Sequence, residues 1–187
     1  IQQLSQNIHA MKGTWIHTAG SVPLSVFPQS VQCGVLYPMM TLSKDKDIDF
    51  KTIPLFVEGN TPQSFKMVED LANELSDTVY PLDSAKRKKL HLAAVFANNF
   101  TNHCCTLAYH LLEKNGIAPT VLLPIIDETA QKLHHLSPTE AQTGPAKRWD
   151  EKVMNEQLRE LADETELQEI YRLMSQSIHQ HSHSEHD

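Results

Sequence analysis

The chain has 187 residues, which is enough for one or two domains with a hydrophobic core. Its formal net charge is −7, whereas a nucleic-acid-binding protein would need a basic face, so nucleic acid is not an expected partner. A run of about 20 apolar residues, as a membrane-spanning helix requires, is absent from the sequence, and no membrane association is expected. The three cysteines give no disulfide framework, which favours a reducing, cytoplasmic location.

The first residues carry an amphipathic pattern without an initiating Met. Leu4, Ile8 and Met11 recur at helical spacing. Because this pattern is typical of the middle of a helix, we expect that a further N-terminal part precedes Ile1.

The chain up to about residue 82 alternates short β-like runs with turns. Four strands are predicted, at residues 15–17, 34–37, 53–57 and 78–80. A helix intervenes, with Thr61 as its N-cap and Pro62 at its first position. The order strand, helix, strand predicts an α/β domain with a parallel sheet.

From Asp83 onward the pattern is helical. A long helix is predicted from Asp83 to Lys114, ended by Asn115 and Gly116 and apolar almost all round between residues 90 and 97. Its basic cluster at residues 86–89 is interpreted as a solvated helix start. Further helices are predicted at 119–135, after a capping box at 137–140, after Asp150, and from a capping box at 165–168.

The fold class is therefore α/β followed by all-α. Residues 1–82 are assigned to the sheet domain, residues 83–178 to a helical domain and residues 179–187 to a polar, His-rich tail. No metal site is predicted, since flexible His-rich tails commonly have none.

Small and polar residues follow the first predicted strand. In open α/β sheets the carboxyl ends of the strands face the ligand crevice. Gly20 would let a cofactor approach the backbone, and the hydroxyls of Thr18 and Ser21 could bind a ribose or a substrate. His17, Thr18 and Gly20 are therefore candidate cofactor-binding residues and Ser21 a candidate substrate-binding residue. The alternative is a plain turn after a strand.

A second loop, residues 37–43, leaves the next strand in the same way. Two polar loops at neighbouring strand ends would form one wall of a pocket, and Pro38 is the cofactor-binding candidate here. The alternative is a simple connector with one aromatic side chain packed into the protein.

Amides and imidazoles interrupt the apolar surface of the long helix. An α-helix turns by 100° per residue. A single line along its surface therefore passes within about 20° of His91, Asn98, Asn102 and Tyr109. A neighbouring stripe contains Asn99, His103 and His110. Such groups need a partner, because an unpaired buried polar group costs about 1–3 kcal/mol.

An imidazole is the usual general acid in carbonyl reduction, since it titrates near neutral pH. His91 and Asn99 are therefore the candidate catalytic residues, and Asn98 and Thr143 the candidate substrate-binding residues. The alternative for His91 is a structural histidine that is satisfied within the core.

Several separate blocks of the chain carry a family resemblance. They lie at residues 17–21, 37–43, 53–59, 90–100, 143–145 and 148–150. In this order they resemble a bacterial family with a Rossmann-like domain followed by a helical domain of unknown function, whose members are often labelled NADP oxidoreductases. The resemblance implies NADP or NAD as cofactor and a small-molecule substrate.

More distantly, the layout is similar to pyrroline-5-carboxylate reductase and the 6-phosphogluconate dehydrogenase C-terminal-like superfamily. In those proteins the long helix forms the dimer and lines the active site, so the resemblance implies a homodimer. The glycine-rich phosphate loop of such enzymes does not occur in this sequence, and the resemblance places it upstream of Ile1.

A second departure concerns the long helix. The β-hydroxyacid dehydrogenases of that superfamily place a catalytic Lys and an Asn one turn apart, whereas Lys88 and Lys89 have Leu92 and Ala93 four residues on. His91 with Asn98 or Asn99 is the nearest substitute.

Two functions remain open. The first is an enzyme that transfers hydride from NAD(P)H to a small carbonyl or imine, with His91 as proton donor. The second is a non-catalytic, dimeric binding or scaffold protein that retains the dehydrogenase fold. The missing Lys–Asn pair favours the second function, and the polar stripe favours the first.

Overall fold

The computed structural model describes residue 1, residues 13–41 and residues 47–183. The predicted helical pattern of Leu4, Ile8 and Met11 lies outside these described residues, as does the end of the second loop from residue 42. Two compact units divide the chain, residues 1–102 and residues 103–187. Within the described ranges, no helix is long and apolar enough to cross a membrane.

The first unit contains a four-stranded sheet in the described residues. In spatial order its strands are β1 (Trp15–His17), β2 (Cys33–Pro38), β3 (Leu55–Gly59) and β4 (Val79–Pro81). These strands confirm the four predicted ones. The bounds of β1 are as predicted, and those of the other three are shifted by one or two residues. The α/β fold class of this part is confirmed as well.

The sheet is mixed, whereas a parallel sheet was predicted. β1 and β2 are parallel, as are β3 and β4, but β2 and β3 run antiparallel. Parallel neighbours need a crossover connection, which helix α1 (Pro62–Leu75) provides between β3 and β4. Between β2 and β3 the described residues contain only a short 3-10 helix, Phe50–Thr52, and the chain turns back instead.

Helix α1 begins where the sequence predicts. The Thr61 side chain accepts a hydrogen bond from Ser64 N, and Ser64 Oγ accepts one from Thr61 N, with Pro62 at the first position. The helix packs on one face of the sheet. Its buried residues Val68 and Ala72 share a core with Leu36, Ile53, Leu55 and Val57.

Helix α2 (Ser84–Ala94) packs on the opposite face. Successive strand residues point to opposite sides, so Tyr37 points away from the core that contains Leu36. Tyr37 contacts α2 through His91. Asp83 caps the helix as predicted, accepting a hydrogen bond of 2.8 Å from Lys86 N.

The long helix is not uniform. After α2 comes a π-helical segment, Val95–Phe100, and then α3, Thr101–Lys114. A π-helix bonds i to i+5, so the assumed 100° per residue fails across this segment. The predicted line from His91 through Asn98 therefore does not continue to Asn102 and Tyr109.

The end of α3 follows the prediction. Gly116 has a φ of +69°, and its N–H donates to Glu113 O at 3.0 Å. The N–H of Ile117 donates to Leu112 O at 2.9 Å, which completes a Schellman motif.

The second unit is helical in its described part, which confirms the all-α assignment. Its further helices are α4 (Leu123–Lys132), α5 (Pro138–Ala141), α6 (Pro145–Arg148), α7 (Glu151–Glu160) and α8 (Thr165–His183). The single helix predicted at 119–135 is divided into a 3-10 turn and α4, because Pro124 lacks an N–H and fits only a first turn. The predicted caps at Ser137 and Asp150 are confirmed. Thr165 is the first residue of α8 and not its cap.

Candidate functional site

Three segments of the first unit meet at one edge of the sheet. Because β1 and β2 are parallel, the loops after His17 and after Pro38 leave the sheet at the same edge. This confirms the predicted convergence of the two loops. Helix α2 reaches the same edge with His91, about two turns after its start.

His91 contacts the side chain of Tyr37. Its Nδ1 atom lies 3.1 Å from the phenol oxygen, and the two rings meet edge-on with centroids 6.1 Å apart. Burial raises the pKa of Tyr37, and the positive charge of Arg87 opposes this shift. The phenol is therefore protonated near neutral pH and can donate a hydrogen bond as well as accept one.

Gly20 packs against both rings. A Cβ atom at this position would lie 2.7 Å from His91 Nδ1 and 2.8 Å from Tyr37 Cζ. Residue 20 must therefore be glycine because the His91 and Tyr37 rings leave no room for a side chain. The sequence predicted a different reason, the close approach of a cofactor to the backbone. The cofactor-binding role of Gly20 remains a prediction.

A cavity of about 450 Å³ opens beside the His91–Tyr37 pair, within the range of small-molecule sites. It is lined by Tyr37, Met39, Met40, Thr41, His91, Ala94, Val95, Ala97, Asn98 and Asn99. The structure therefore brings together three predicted site residues, His91, Asn98 and Asn99. Both asparagines belong to the π-helical segment, and π-helical turns are frequent at functional sites.

The chemistry of this cavity is that of a hydrogen-bonding site with apolar walls. The two carboxamides each offer N–H donors and a carbonyl acceptor, and the imidazole can donate or accept a proton. Methionine and alanine side chains form the apolar part of the lining. Such a site can hold a small molecule with one polar reacting group, and orient that group toward His91.

Other predicted residues lie outside this cavity. Ser21 lines a different pocket, together with Val22 and Pro23. Thr18 is exposed, and Pro38 is half-buried at the end of β2. Thr143 belongs to the second unit, where it is exposed and precedes Gly144, the N-cap of α6.

His17 is buried, with 5% of its surface exposed. Its Nδ1 atom accepts a hydrogen bond of 3.2 Å from Ala19 N, and its Nε2 atom has no partner in the described part of the chain. Burial, with a smaller contribution from Arg87, lowers the pKa of His17 below its usual 6.5. His17 thus orders the loop that follows β1, and its cofactor-binding role remains a prediction.

Sequence reasoning missed two residues that shape the site. The sequence around Tyr37 gives no sign of its contact with His91, because the two residues are 54 positions apart. Arg87 was placed in a solvated helix start, yet it is 1% exposed, while Lys86, Lys88 and Lys89 are exposed. The only feature of the sequence that links Arg87 to the site is its position one turn before His91, on the same side of the helix.

Comparisons with known proteins identify a family. A family model described as a domain of unknown function, DUF2520, matches residues 53–178. A search of curated proteins finds no match.

Two solved structures have the same fold. A Bacteroides fragilis protein described as a candidate NADP oxidoreductase is 49% identical, with a TM-score of 0.85 over 89% of this chain. This chain spans 65% of the length of that protein. A Thermotoga maritima protein is 22% identical, with a TM-score of 0.81 over 100% of this chain and 75% of its own, and it shows the fold alone. With the family model matching more than half of its length, the chain belongs to the DUF2520 family.

Proposed function

We propose that the whole protein is an NAD(P)-dependent oxidoreductase that reduces a small carbonyl or imine compound. The observation that carries this proposal is the cavity at the sheet edge whose lining includes His91, Asn98 and Asn99. The similarity to the Bacteroides fragilis protein supports the reaction class and an NADP-type cofactor.

His91 is the proton donor of the proposed reaction. When the carbon of a C=O or C=N bond gains a hydride, the π-electron pair moves to the oxygen or nitrogen, which then takes a proton. The imidazolium of His91 gives that proton from one ring nitrogen and returns to the neutral form. The Asn99 amide donates a hydrogen bond to the same substrate atom, and Asn98 holds the neighbouring part of the substrate.

Two hydroxyl groups of this chain suit the ribose of a nicotinamide cofactor, which supplies the hydride when it is bound. Thr18 and Ser21 are exposed and follow β1 at the same edge as the His91–Tyr37 pair, so their hydroxyls can bind a ribose or a substrate. Pro38 ends β2 beside them. No glycine-rich loop occurs among the 187 residues, so no residue of this chain is assigned to the cofactor phosphates.

A homodimer is part of the proposal. Leu92, Phe96 and Phe100 follow one another at four-residue spacing and are 59%, 62% and 50% exposed. The Phe96 and Phe100 rings meet edge-on with centroids 4.9 Å apart, so they form one continuous apolar patch. Contiguous exposed apolar surface marks interaction sites. A second copy of the chain covers this patch, in line with the resemblance to dehydrogenases that dimerise through their long helix.

The test uses the full-length protein that contains this chain. NADPH binding is measured by calorimetry, and NADPH oxidation is followed by absorbance with a panel of small aldehydes, ketones and cyclic imines. His91→Gln should keep NADPH binding and lose about 10²–10⁴-fold in turnover. His134→Gln, at an exposed position of the second unit, should behave as the wild type. Absence of NADPH binding would favour the non-catalytic alternative. Equal turnover in His91→Gln and His134→Gln would show that His91 takes no part in the reaction.

A further inference from the structure

We propose that Tyr37 is a positioning residue for His91, because its phenol oxygen holds Nδ1 of the imidazole in either protonation state and leaves Nε2 as the nitrogen offered to a ligand. The inference rests on the proposed function only for the role given to His91. The contact itself, 3.1 Å between the phenol oxygen and Nδ1, is a property of the fold.

The direction of the hydrogen bond depends on the charge of the imidazole. Among the described residues, two acceptors lie near the phenol, His91 Nδ1 at 3.1 Å and Met39 Sδ at 4.0 Å. A thioether is a weak acceptor, so the phenol proton goes to Nδ1 when the imidazole is neutral. The ring proton of neutral His91 is then carried by Nε2.

The same pair also fits the imidazolium. With both ring nitrogens protonated, Nδ1–H donates to the phenol oxygen, and the hydroxyl proton turns toward Met39 Sδ. When the imidazolium gives its Nε2 proton to a substrate, Nδ1 keeps its own proton and its bond to Tyr37. Solvent then returns a proton to Nε2, so the phenol remains neutral throughout.

The surroundings of Tyr37 restrict where its oxygen can lie. Tyr37 belongs to β2, which is paired on both sides, and only 9% of its surface is exposed. The centroid of the Phe56 ring on β3 lies 6.4 Å from that of Tyr37. Gly20 also packs against Tyr37, and a Cβ atom at residue 20 would collide with the Tyr37 and His91 rings. A phenol held in this way fixes the rotation of the imidazole that it contacts.

The proposal is tested by NMR of the His91 ring nitrogens, in the absence of substrate and cofactor. The protein is labelled with ring-¹⁵N histidine, and the His91 signals are identified by their loss in His91→Gln. At the alkaline end of a pH series, where the His91 ring signals no longer change and the imidazole is neutral, the wild type should show Nε2 protonated and Nδ1 accepting a hydrogen bond. Tyr37→Phe should move the Nδ1 resonance downfield, because that nitrogen loses its donor.

Tyr80→Phe is the matched control, since Tyr80 is an exposed tyrosine on β4 that stacks on Phe56. Backbone amide signals of β2 and α2 report whether the fold is kept. If Tyr37→Phe does not fold, Gly20→Ala provides the second variant, because its Cβ must separate the two rings, and it should shift Nδ1 likewise.

Two results would overturn the proposal. One is an Nδ1 resonance that moves no more in Tyr37→Phe than in Tyr80→Phe. The other is a wild-type His91 that carries its proton on Nδ1 at this pH. Either result leaves the proposed oxidoreductase function unaffected. Conversely, the expected nitrogen shifts without any NADPH turnover would contradict the oxidoreductase function and support the role of Tyr37.

Discussion

The guanidinium of Arg87 is buried against the carboxylate of Glu58, which fastens α2 to the sheet. Arg87 also donates to Val22 O at 2.6 Å, so it connects the loop after β1 to the same point. Ser84 adds hydrogen bonds from its N and its Oγ to Glu58. This cluster lies one helical turn before His91 and therefore fixes where His91 meets Tyr37.

Replacing Arg87 should destabilise the fold strongly. Arg87→Met leaves the Glu58 carboxylate, which is 17% exposed, without its cationic partner. Loss of one member of a buried pair costs about 3–5 kcal/mol in free energy of unfolding. Urea titration measures this value. Lys88→Met, at an exposed position of the same helix, should stay within about 0.5 kcal/mol of the wild type. Similar values for the two variants would show that the buried pair contributes little.

His17 should make the stability depend on pH. Burial and Arg87 lower its folded-state pKa below 6.5, so the unfolded chain binds a proton more readily than the folded chain. Its contribution to stability is therefore present above about pH 6.5 and is lost as the pH falls below this value through the lowered folded-state pKa. Urea titrations between about pH 5 and pH 8 should show a smaller pH dependence for His17→Gln than for the wild type. His134→Gln is the exposed control, and equal slopes for all three proteins would contradict the prediction.

Local signals in the sequence predicted the elements well. The Thr61 and Asp83 caps, the Ser137 capping box and the Gly116 C-terminal motif each depend on neighbours within a few residues. The convergence of the two loops was also predictable, because it follows from two parallel strands.

Features that depend on distant contacts were missed. The antiparallel β2–β3 pair, the burial of Arg87 and the Tyr37–His91 contact join segments that are far apart in sequence. The π-helical segment was missed because its residues fit an α-helix equally well in local preference. Its presence rotates the residues that follow it, so the predicted line of His91, Asn98, Asn102 and Tyr109 does not extend along the whole helix. Of the predicted residues on this helix, those that line the cavity are His91, Asn98 and Asn99.

Gly20→Ala should disturb the site through packing alone. The added Cβ would lie 2.7 Å from His91 Nδ1 and 2.8 Å from Tyr37 Cζ, so the rings or the loop must move. Overpacking of this kind costs about 1–3 kcal/mol in free energy of unfolding. Ser21→Ala, at the exposed next position, should cost less than about 0.5 kcal/mol. If urea titration gives equal values for both variants, the loop is loose enough to accept a side chain at residue 20.

The apolar patch of Leu92, Phe96 and Phe100 should hold two copies of the chain together. Burying a large apolar side chain contributes about 1.5–3 kcal/mol, so three such residues from each copy can support a dimer at micromolar concentration. Sedimentation should then give about twice the chain mass of 21.2 kDa. Phe96→Glu places a carboxylate at the centre of the patch and should give the monomer, because a buried charge without a partner is unfavourable.

The control for this experiment is Leu173→Glu. Leu173 is an apolar residue on α8 that is 68% exposed, but it lies outside the patch, so this variant should sediment as the wild type does. Circular dichroism of both variants should match the wild type, which separates a loss of association from a loss of fold. A wild-type chain that sediments only at 21.2 kDa would contradict the dimer, as would a Phe96→Glu variant that stays dimeric.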